Sequence, residues 1–318
     1  MARAFITGAR GFLGVELVKA ARRAGHDVIE TDVRGEPSLD LLDTDAVRAA
    51  LSAAKPELLF HCAGLTRADP ALLLRANVVA TASLLSAMRD AAPKCRLVLV
   101  SSSAVYAPTS EKVTEAHPTR PVAPYGLSKL AQELLALHEG RSRTLTLSPR
   151  ERGSPSTLPS PAPSSLDVVI ARAFNLVGPG MPESLAAGAF ARHVLNAEEN
   201  HGPTEFSVGD TSAIRDFIDV RDVASGLLEV ATHGRSGETY NLCRGIGAPV
   251  HDCLTALVKL GRMKVTPKVA PPGHNDNPSQ VGDGSKLAAL SPWRATIALE
   301  TSMNDMMNAL RMQQGETP

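Results

Sequence analysis

The stretch Arg3-Ala4-Phe5-Ile6-Thr7-Gly8-Ala9-Arg10-Gly11-Phe12-Leu13-Gly14 decides the fold. A short run of strand character ends in three glycines, each three positions from the last. The apolar spacing then becomes that of a helix, from Leu13 to Ala24. A glycine turn between a strand and a helix lets backbone N–H groups approach an anion closely, and the positive end of the helix favours negative charge there. In this strand-then-helix context the turn predicts a pyrophosphate cradle rather than merely a tight corner. Gly8, Gly11 and Gly14, with Arg10, Phe12 and Leu13 between them, are the first candidate cofactor contacts.

Outward from this turn the rhythm repeats. Strand-like runs at Asp27–Thr31, Leu58–Cys62 and Arg96–Ser101 alternate with helical stretches at Ala46–Ala54, Asn77–Ala91 and Tyr125–His138. Such βαβ alternation predicts an α/β fold, a Rossmann-type doubly wound parallel sheet. Residues 1–172 form the expected dinucleotide-binding domain. Within them Arg141–Ser165 is rich in Pro, Ser and Arg, lacks an apolar period, and reads as a flexible surface insert. The strand Asp167–Ala173 resumes order, and residues 173–318 read mainly as a smaller substrate-binding lobe.

The second strand ends at Asp32, where an acidic side chain can accept both ribose hydroxyls of NAD. Arg10 and Arg34 flank the same place and could instead hold the extra phosphate of NADP by charge-assisted hydrogen bonds. NAD is the first expectation and NADP the alternative.

Tyr125-Gly126-Leu127-Ser128-Lys129 places a phenol and an ammonium four residues apart, on one face of a helix. A phenol is a poor acid or base near neutrality, because its reference pKa is about 10. A neighbouring ammonium and a positive nicotinamide ring would favour the phenolate, and the lysine can also reach the nicotinamide ribose. Upstream, Cys95-Arg96-Leu97-Val98-Leu99-Val100 runs into Ser101-Ser102-Ser103. This leaves hydroxyls at the carboxyl end of a parallel strand, where α/β sheets bind ligands. A serine there can hydrogen-bond a reacting substrate oxygen, or simply its own backbone.

Composition narrows the partners. With 33 basic and 33 acidic residues among 318, no electrostatic capture of nucleic acid or of an acidic membrane surface is expected. The N-terminus opens on a strand rather than a secretion signal, and no window reaches the roughly 20 apolar residues of a membrane span. A cytoplasmic protein acting on a small molecule is expected. Cys62, Cys95, Cys243 and Cys253 are scattered, without the paired spacing of a metal site or a disulfide framework, so no metal is expected and the thiols read as core residues.

Taken together, the segments Thr7–Gly14, Ser101–Tyr106, Tyr125–Lys129, Ala171–Gly180 and Ile214–Ala224 resemble, in the same order, the extended short-chain dehydrogenase/reductases. Specifically, they resemble the NAD-dependent epimerase/dehydratase group that acts on nucleotide sugars. The resemblance implies that Tyr125 and Lys129 are the catalytic pair and Ser102 the catalytic hydroxyl. It implies that Asp32 binds ribose, that His61-Cys62-Ala63-Gly64 lines the cofactor and that Asn77 contacts it. Ser102, Ser103 and Asn175 would touch substrate, Arg215 would bind its diphosphate, and the helices at Asn77–Ala91 and Tyr125–His138 would pair two chains into a homodimer. On the residues alone, Arg215 could equally form a salt bridge with Asp216 or Asp219.

Two departures refine this expectation. Where the group's dehydratases carry an Asp-Glu pair, this chain has Ser103-Ala104, which argues against a 4,6-dehydratase and leaves a 4-epimerase or a ketoreductase. A second phosphate-binding arginine is missing from Pro272-Gly273-His274-Asn275-Asp276, where only His274 could substitute. That absence keeps open an alternative, reduction of a keto group on a non-sugar metabolite. A non-catalytic dinucleotide sensor or scaffold is a lesser one, since it would need no Tyr-Lys-Ser set.

Overall fold

The computed structural model describes residues 1–36, 38–140, 166–200, 204–273 and 277–313. The insert expected at Arg141–Ser165 lies outside them, as does His274.

Six parallel strands form the main sheet: β1 (Arg3–Thr7), β2 (Asp27–Thr31), β3 (Leu58–His61), β4 (Arg96–Ser102), β6 (Asp167–Ala173) and β10 (Thr239–Leu242). Their order across the sheet is β10-β6-β4-β3-β1-β2. From β1 the chain passes first to β2 on one side and then back to β3 on the other. The connections diverge between β1 and β3 and open a crevice above their carboxyl ends, the place where such sheets bind ligands.

The period-2 alternation of buried strands divides the core. Ile6, Val98 and Val169 face one side, against α1 (Phe12–Arg23) and α7 (Val220–His233). Phe5, Leu97, Leu99 and Val168 face the other, against α2 (Thr44–Ala54), α4 (Ala80–Ala91) and α5 (Pro124–Gly140). Each such side chain, fully buried, contributes about 2 kcal/mol. Local signals start the helices where the packing needs them. Asp43 caps α2 by accepting from Ala46 N at 3.0 Å, and Asp219 caps α7 by accepting from Arg221 N at 2.8 Å.

The helix expected at Asn77–Ala91 begins earlier. It opens as α3 (Pro70–Leu73), capped by Asp69, continues through a π-helical turn at Leu74–Val79, and runs on as α4. By length and composition this 22-residue segment could cross a membrane. Here Ala80, Leu84, Leu85 and Met88 lie in the core, which accounts for its apolar character.

The second lobe is built on α6 (Ala186–Glu199), α8 (Val250–Leu260) and α10 (Leu299–Gln313), which enclose Phe190, Val194, Phe217, Leu254 and Met303. A smaller sheet of β11 (Gly247–Pro249), β9 (Ile214–Asp219), β13 (Ser279–Gly282) and β5 (Lys112–Val113) joins it to the main domain, with β7 (Asn175–Val177) beside β9. Three elements cross the division at residue 172. β10 and α7, although late in sequence, complete the first sheet and its cover, whereas β5, although early, belongs to the smaller sheet of the second lobe.

Candidate active site

A cavity of about 500 Å³ lies at the divergence of β1 and β3. Gly8 and Gly11 line it from the turn, Asp32 and Arg34 from the end of β2, and Cys62, Ala63 and Gly64 from the loop after β3. Gly8 has φ +68°, and a Cβ on Gly14 would stand 2.0 Å from the Gly8 carbonyl oxygen, so only glycine lets α1 sit this close behind the turn. The N-terminus of α1 has no side-chain cap and no acidic residue in its first turn. Its first N–H groups therefore have no partner within the helix, which suits a pyrophosphate. Phe12 and Leu13 do not line the cavity. Leu13 is buried in the core and Phe12 packs between the two lobes, so what they can offer an anion is backbone N–H.

Asp32 is buried. Its Oδ1 accepts from Arg34 N at 3.0 Å and Nε at 3.1 Å, and its Oδ2 accepts from Arg10 N at 3.1 Å. Burial pushes the carboxyl up, but these hydrogen bonds outweigh it and hold it below the usual carboxylate range. An ionised acceptor thus stands where a ribose would lie. The Arg10 guanidinium is turned away, donating to the carbonyls of Arg34 at 2.6 Å and Glu36 at 3.1 Å.

Asn77, fully buried in the π-helical turn, spends its amide on the protein. Its Oδ1 accepts from Leu65 N at 2.8 Å, and its Nδ2 donates to Leu65 O and to Ser128 Oγ, each at 2.9 Å. It holds the loop after β3 against α5, and so shapes the cavity from behind. π-Helical turns are often found at such functional positions.

Pro124 begins α5, its fixed φ suiting the first helical position, and Tyr125 and Lys129 follow on one face. Burial raises the Tyr125 phenol above its ordinary value, and a hydrogen bond with the Ser102 hydroxyl opposes this without cancelling it. Ser102, at the end of β4, also accepts from Ala104 N at 3.2 Å. Lys129 is buried, donating to Val100 O at 2.6 Å and to Gln132 Oε1 at 2.5 Å. Burial lowers its pKa to about 8, with Glu133 and Cys62 acting in the opposite sense.

Ser103 is tied to the protein. Its hydroxyl is buried and donates to Gln280 Oε1 at 3.0 Å, while Gln280 Nε2 donates to Ser103 O at 2.7 Å. It fastens the serine loop to β13, and with its one proton given to Gln280 it can offer a ligand only an acceptor.

Arg215 and Asp216 alternate on β9. Asp216 accepts from the backbone N–H groups of Arg244, Gly245 and Gly282, and Asp219 pairs with Arg221. Neither carboxylate takes Arg215, which donates to Ile214 O at 2.8 Å and forms no salt bridge among the described residues. Partial burial lowers its pKa, and among the described residues the cation has no counter-ion. On β7, the Asn175 amide nitrogen is buried without a hydrogen-bond partner in the described chain. A cation lacking an anion and a donor lacking an acceptor are what an anionic, hydroxyl-rich ligand would satisfy.

Several supporting residues escape a reading of motifs. Gln132 and Glu133 follow Lys129 by three and four positions. Two polar residues on the buried side of an amphipathic helix were the available signal. Arg172, whose guanidinium pairs with Glu133 at 2.9 and 2.6 Å, and Gln280 gave none.

The chain is similar to proteins named as enzymes of nucleotide sugars. The chain is 28% identical to the GDP-6-deoxy-D-mannose reductase of Pseudomonas aeruginosa, over 96% of each. The structure of RMD from Pseudomonas aeruginosa complexed with NADPH superimposes with a TM-score of 0.80 at 25% identity, covering 98% of this chain and 100% of that one. MoeE5 in complex with UDP-glucose and NAD gives 0.81 at 26% identity, covering 98% and 99%. The model of the NAD dependent epimerase/dehydratase family matches residues 4–243, and the chain belongs to that family.

Proposed function

We propose that the chain is an NAD(P)-dependent oxidoreductase or 4-epimerase that acts on a sugar alcohol or ketone carried by a nucleoside diphosphate. The observation that carries this reading is the hydrogen bond between Tyr125 and Ser102, with the buried Lys129 one turn further along α5, in the domain whose cavity carries a glycine turn and an ionised Asp32 that suit a dinucleotide. The Arg215 guanidinium, without a counter-ion among the described residues, and the relatives' substrates extend the reading to a diphosphate.

The dinucleotide would rest its pyrophosphate on Gly8, Gly11 and the start of α1 and its ribose on Asp32. Its nicotinamide supplies or accepts hydride. The chain's own residues manage the proton. Ser102 donates to the reacting substrate oxygen, and Tyr125, kept protonated by burial, gives its proton to that oxygen when a carbonyl is reduced. Lys129 keeps a positive charge beside the phenolate that results. In oxidation the same residues act in reverse.

Tyr125→Phe tests the assignment. Turnover should fall by about a hundredfold or more, while NADH affinity stays within about twofold; undiminished turnover would refute the role. Nucleotide released on denaturing the purified protein separates the two chemistries. Tightly kept NAD points to an epimerase, and exchangeable NADH or NADPH to a reductase. Because Pro272–Asp276 lacks an arginine, a ketone without a nucleotide is the second reading. Thermal shifts with UDP- and GDP-sugars against simple ketones decide between them.

The enzyme would act as a homodimer. Leu72 and Val79 along α3 and the π-helical turn, and Leu127 and Leu134 along α5, are exposed at seven-residue spacing, as a helix-pairing face would be. A monomeric mass by light scattering would exclude this.

A further inference from the structure

Behind the proposed catalytic pair runs a buried hydrogen-bonded chain in which every proton can be placed. Thr81 gives its single hydroxyl proton to Asn77 O at 2.6 Å. Its oxygen must therefore accept from Gln132 Nε2 at 2.7 Å and from His61 Nε2 at 2.9 Å. This makes His61 the Nε2–H tautomer, so its Nδ1 accepts from Thr7 Oγ1 at 2.8 Å. Thr7 Oγ1 in turn lies 3.4 Å from Ala63 N, in the loop lining the cavity. The Gln132 amide is thereby oriented: with its nitrogen toward Thr81, its oxygen is the end presented to Lys129, at 2.5 Å.

We propose that Gln132 is the positioning residue for Lys129, its side-chain amide fixing the buried ammonium so that a single N–H remains for the ribose of the dinucleotide. An ammonium has three N–H donors, and Val100 O and Gln132 Oε1 take two. The surroundings give the amide unusual weight. The titratable groups acting on Lys129 are Glu133 from α5 and Cys62 and His61 from the end of β3. Burial holds the Cys62 thiol up near 12 and His61 down near 3, so both are uncharged at neutral pH. Glu133 is engaged in a two-bond pair with Arg172. Among the described residues, α4 presents the neutral Thr81 hydroxyl to Gln132 and β4 the Val100 carbonyl to Lys129. Apart from the attraction of Glu133 through space, the hydrogen-bond partners of the ammonium are two neutral oxygens, of which only the Gln132 oxygen belongs to a side chain.

This inference rests on the reaction proposed above, but its test does not need turnover. In protein labelled with ¹³C-lysine, the Lys129 Cε resonance, assigned by its loss in Lys129→Arg, is titrated in the full chain, in Gln132→Met and in Gln132→Glu. The midpoint should fall by about one pH unit in Gln132→Met, where an acceptor is lost, and rise in Gln132→Glu, where a charge is gained. NADH affinity at pH 8 should weaken by about tenfold in the first and be kept in the second. Should Gln132→Met fail to fold, Thr81→Val removes the acceptor that orients the amide and should lower the midpoint in the same sense. An unchanged midpoint, or shifts of the same sign in the Met and Glu variants, would overturn the proposal. Opposite shifts without turnover of any sugar would uphold it while overturning the reaction.

Discussion

Replacing Arg172 by Met would strand Glu133 in the core. In the native chain the side chains are 7% and 1% exposed, and the guanidinium meets the carboxylate at 2.9 and 2.6 Å. The same guanidinium lies 4.6 Å from the centre of the Tyr106 ring. Burial alone would weaken the Arg172 charge, yet the paired hydrogen bonds to Glu133 raise its pKa above the ordinary value. Removing one partner of such a pair costs about 4 kcal/mol, because the remaining charge has neither water nor a counter-ion. In a chain of this size that is a drop in Tm of about 6 °C. Urea unfolding followed by the fluorescence of Trp293 measures the loss. Arg172→Met with Glu133→Gln should recover about half of it, since the double variant buries no charge. Turnover should fall with the single change, as Glu133 lies one helical turn beyond Lys129. A loss below about 1 kcal/mol, or a double variant no better than the sum of the single ones, would refute the argument that this pair secures α5 to β6.

Three further outcomes are expected. Gly14→Ala sets a Cβ 2.0 Å from Gly8 O where ordinary contact begins at 3.4 Å, so α1 must withdraw by the difference, 1.4 Å; NADH affinity by calorimetry should weaken by about a hundredfold, and a change under threefold would deny the turn its role. His61, held at about 3 by burial against 6.5 in the open chain, stays neutral where the unfolded state takes up a proton, so stability falls as pH drops from 6.5 toward 3. Between pH 6.5 and 5 this amounts to about 2 kcal/mol, absent from the urea curves of His61→Gln if the reasoning holds. Arg215→Leu should raise KM for a nucleotide sugar by about tenfold with kcat little changed, and an unaltered KM would remove the guanidinium from the substrate site.

The parts of the site that were legible in the sequence are those carried by neighbours in the chain. The glycine turn, the Tyr125–Lys129 spacing and the serines ending β4 need only local geometry, and the sheet followed from alternating periods. What was hidden depends on residues far apart. The π-helical turn places Asn77 between Leu65 and Ser128, and nothing within Leu74–Val79 announces partners 12 and 51 positions away. Ser103 is claimed by Gln280, 177 residues on. For Arg215 the sequence left a salt bridge and a ligand contact open. The difference came from Asp216 being enclosed by three backbone N–H groups and Asp219 being taken by Arg221. The boundary at residue 172 divides a chain whose later half returns to the first sheet in β10.

That return makes the chain a poor candidate for modular exchange. Since β10 belongs to the first sheet, and β5 and the serine loop are fastened to β13, neither half is a cassette that could be grafted onto a relative by a single crossover. A chimera joined near residue 172 would inherit one lineage's Ser103 and another's partner for it. If Asn175 and Arg215 meet the substrate as proposed, new substrate preferences in this architecture should arise more readily by point changes around them than by swapping lobes.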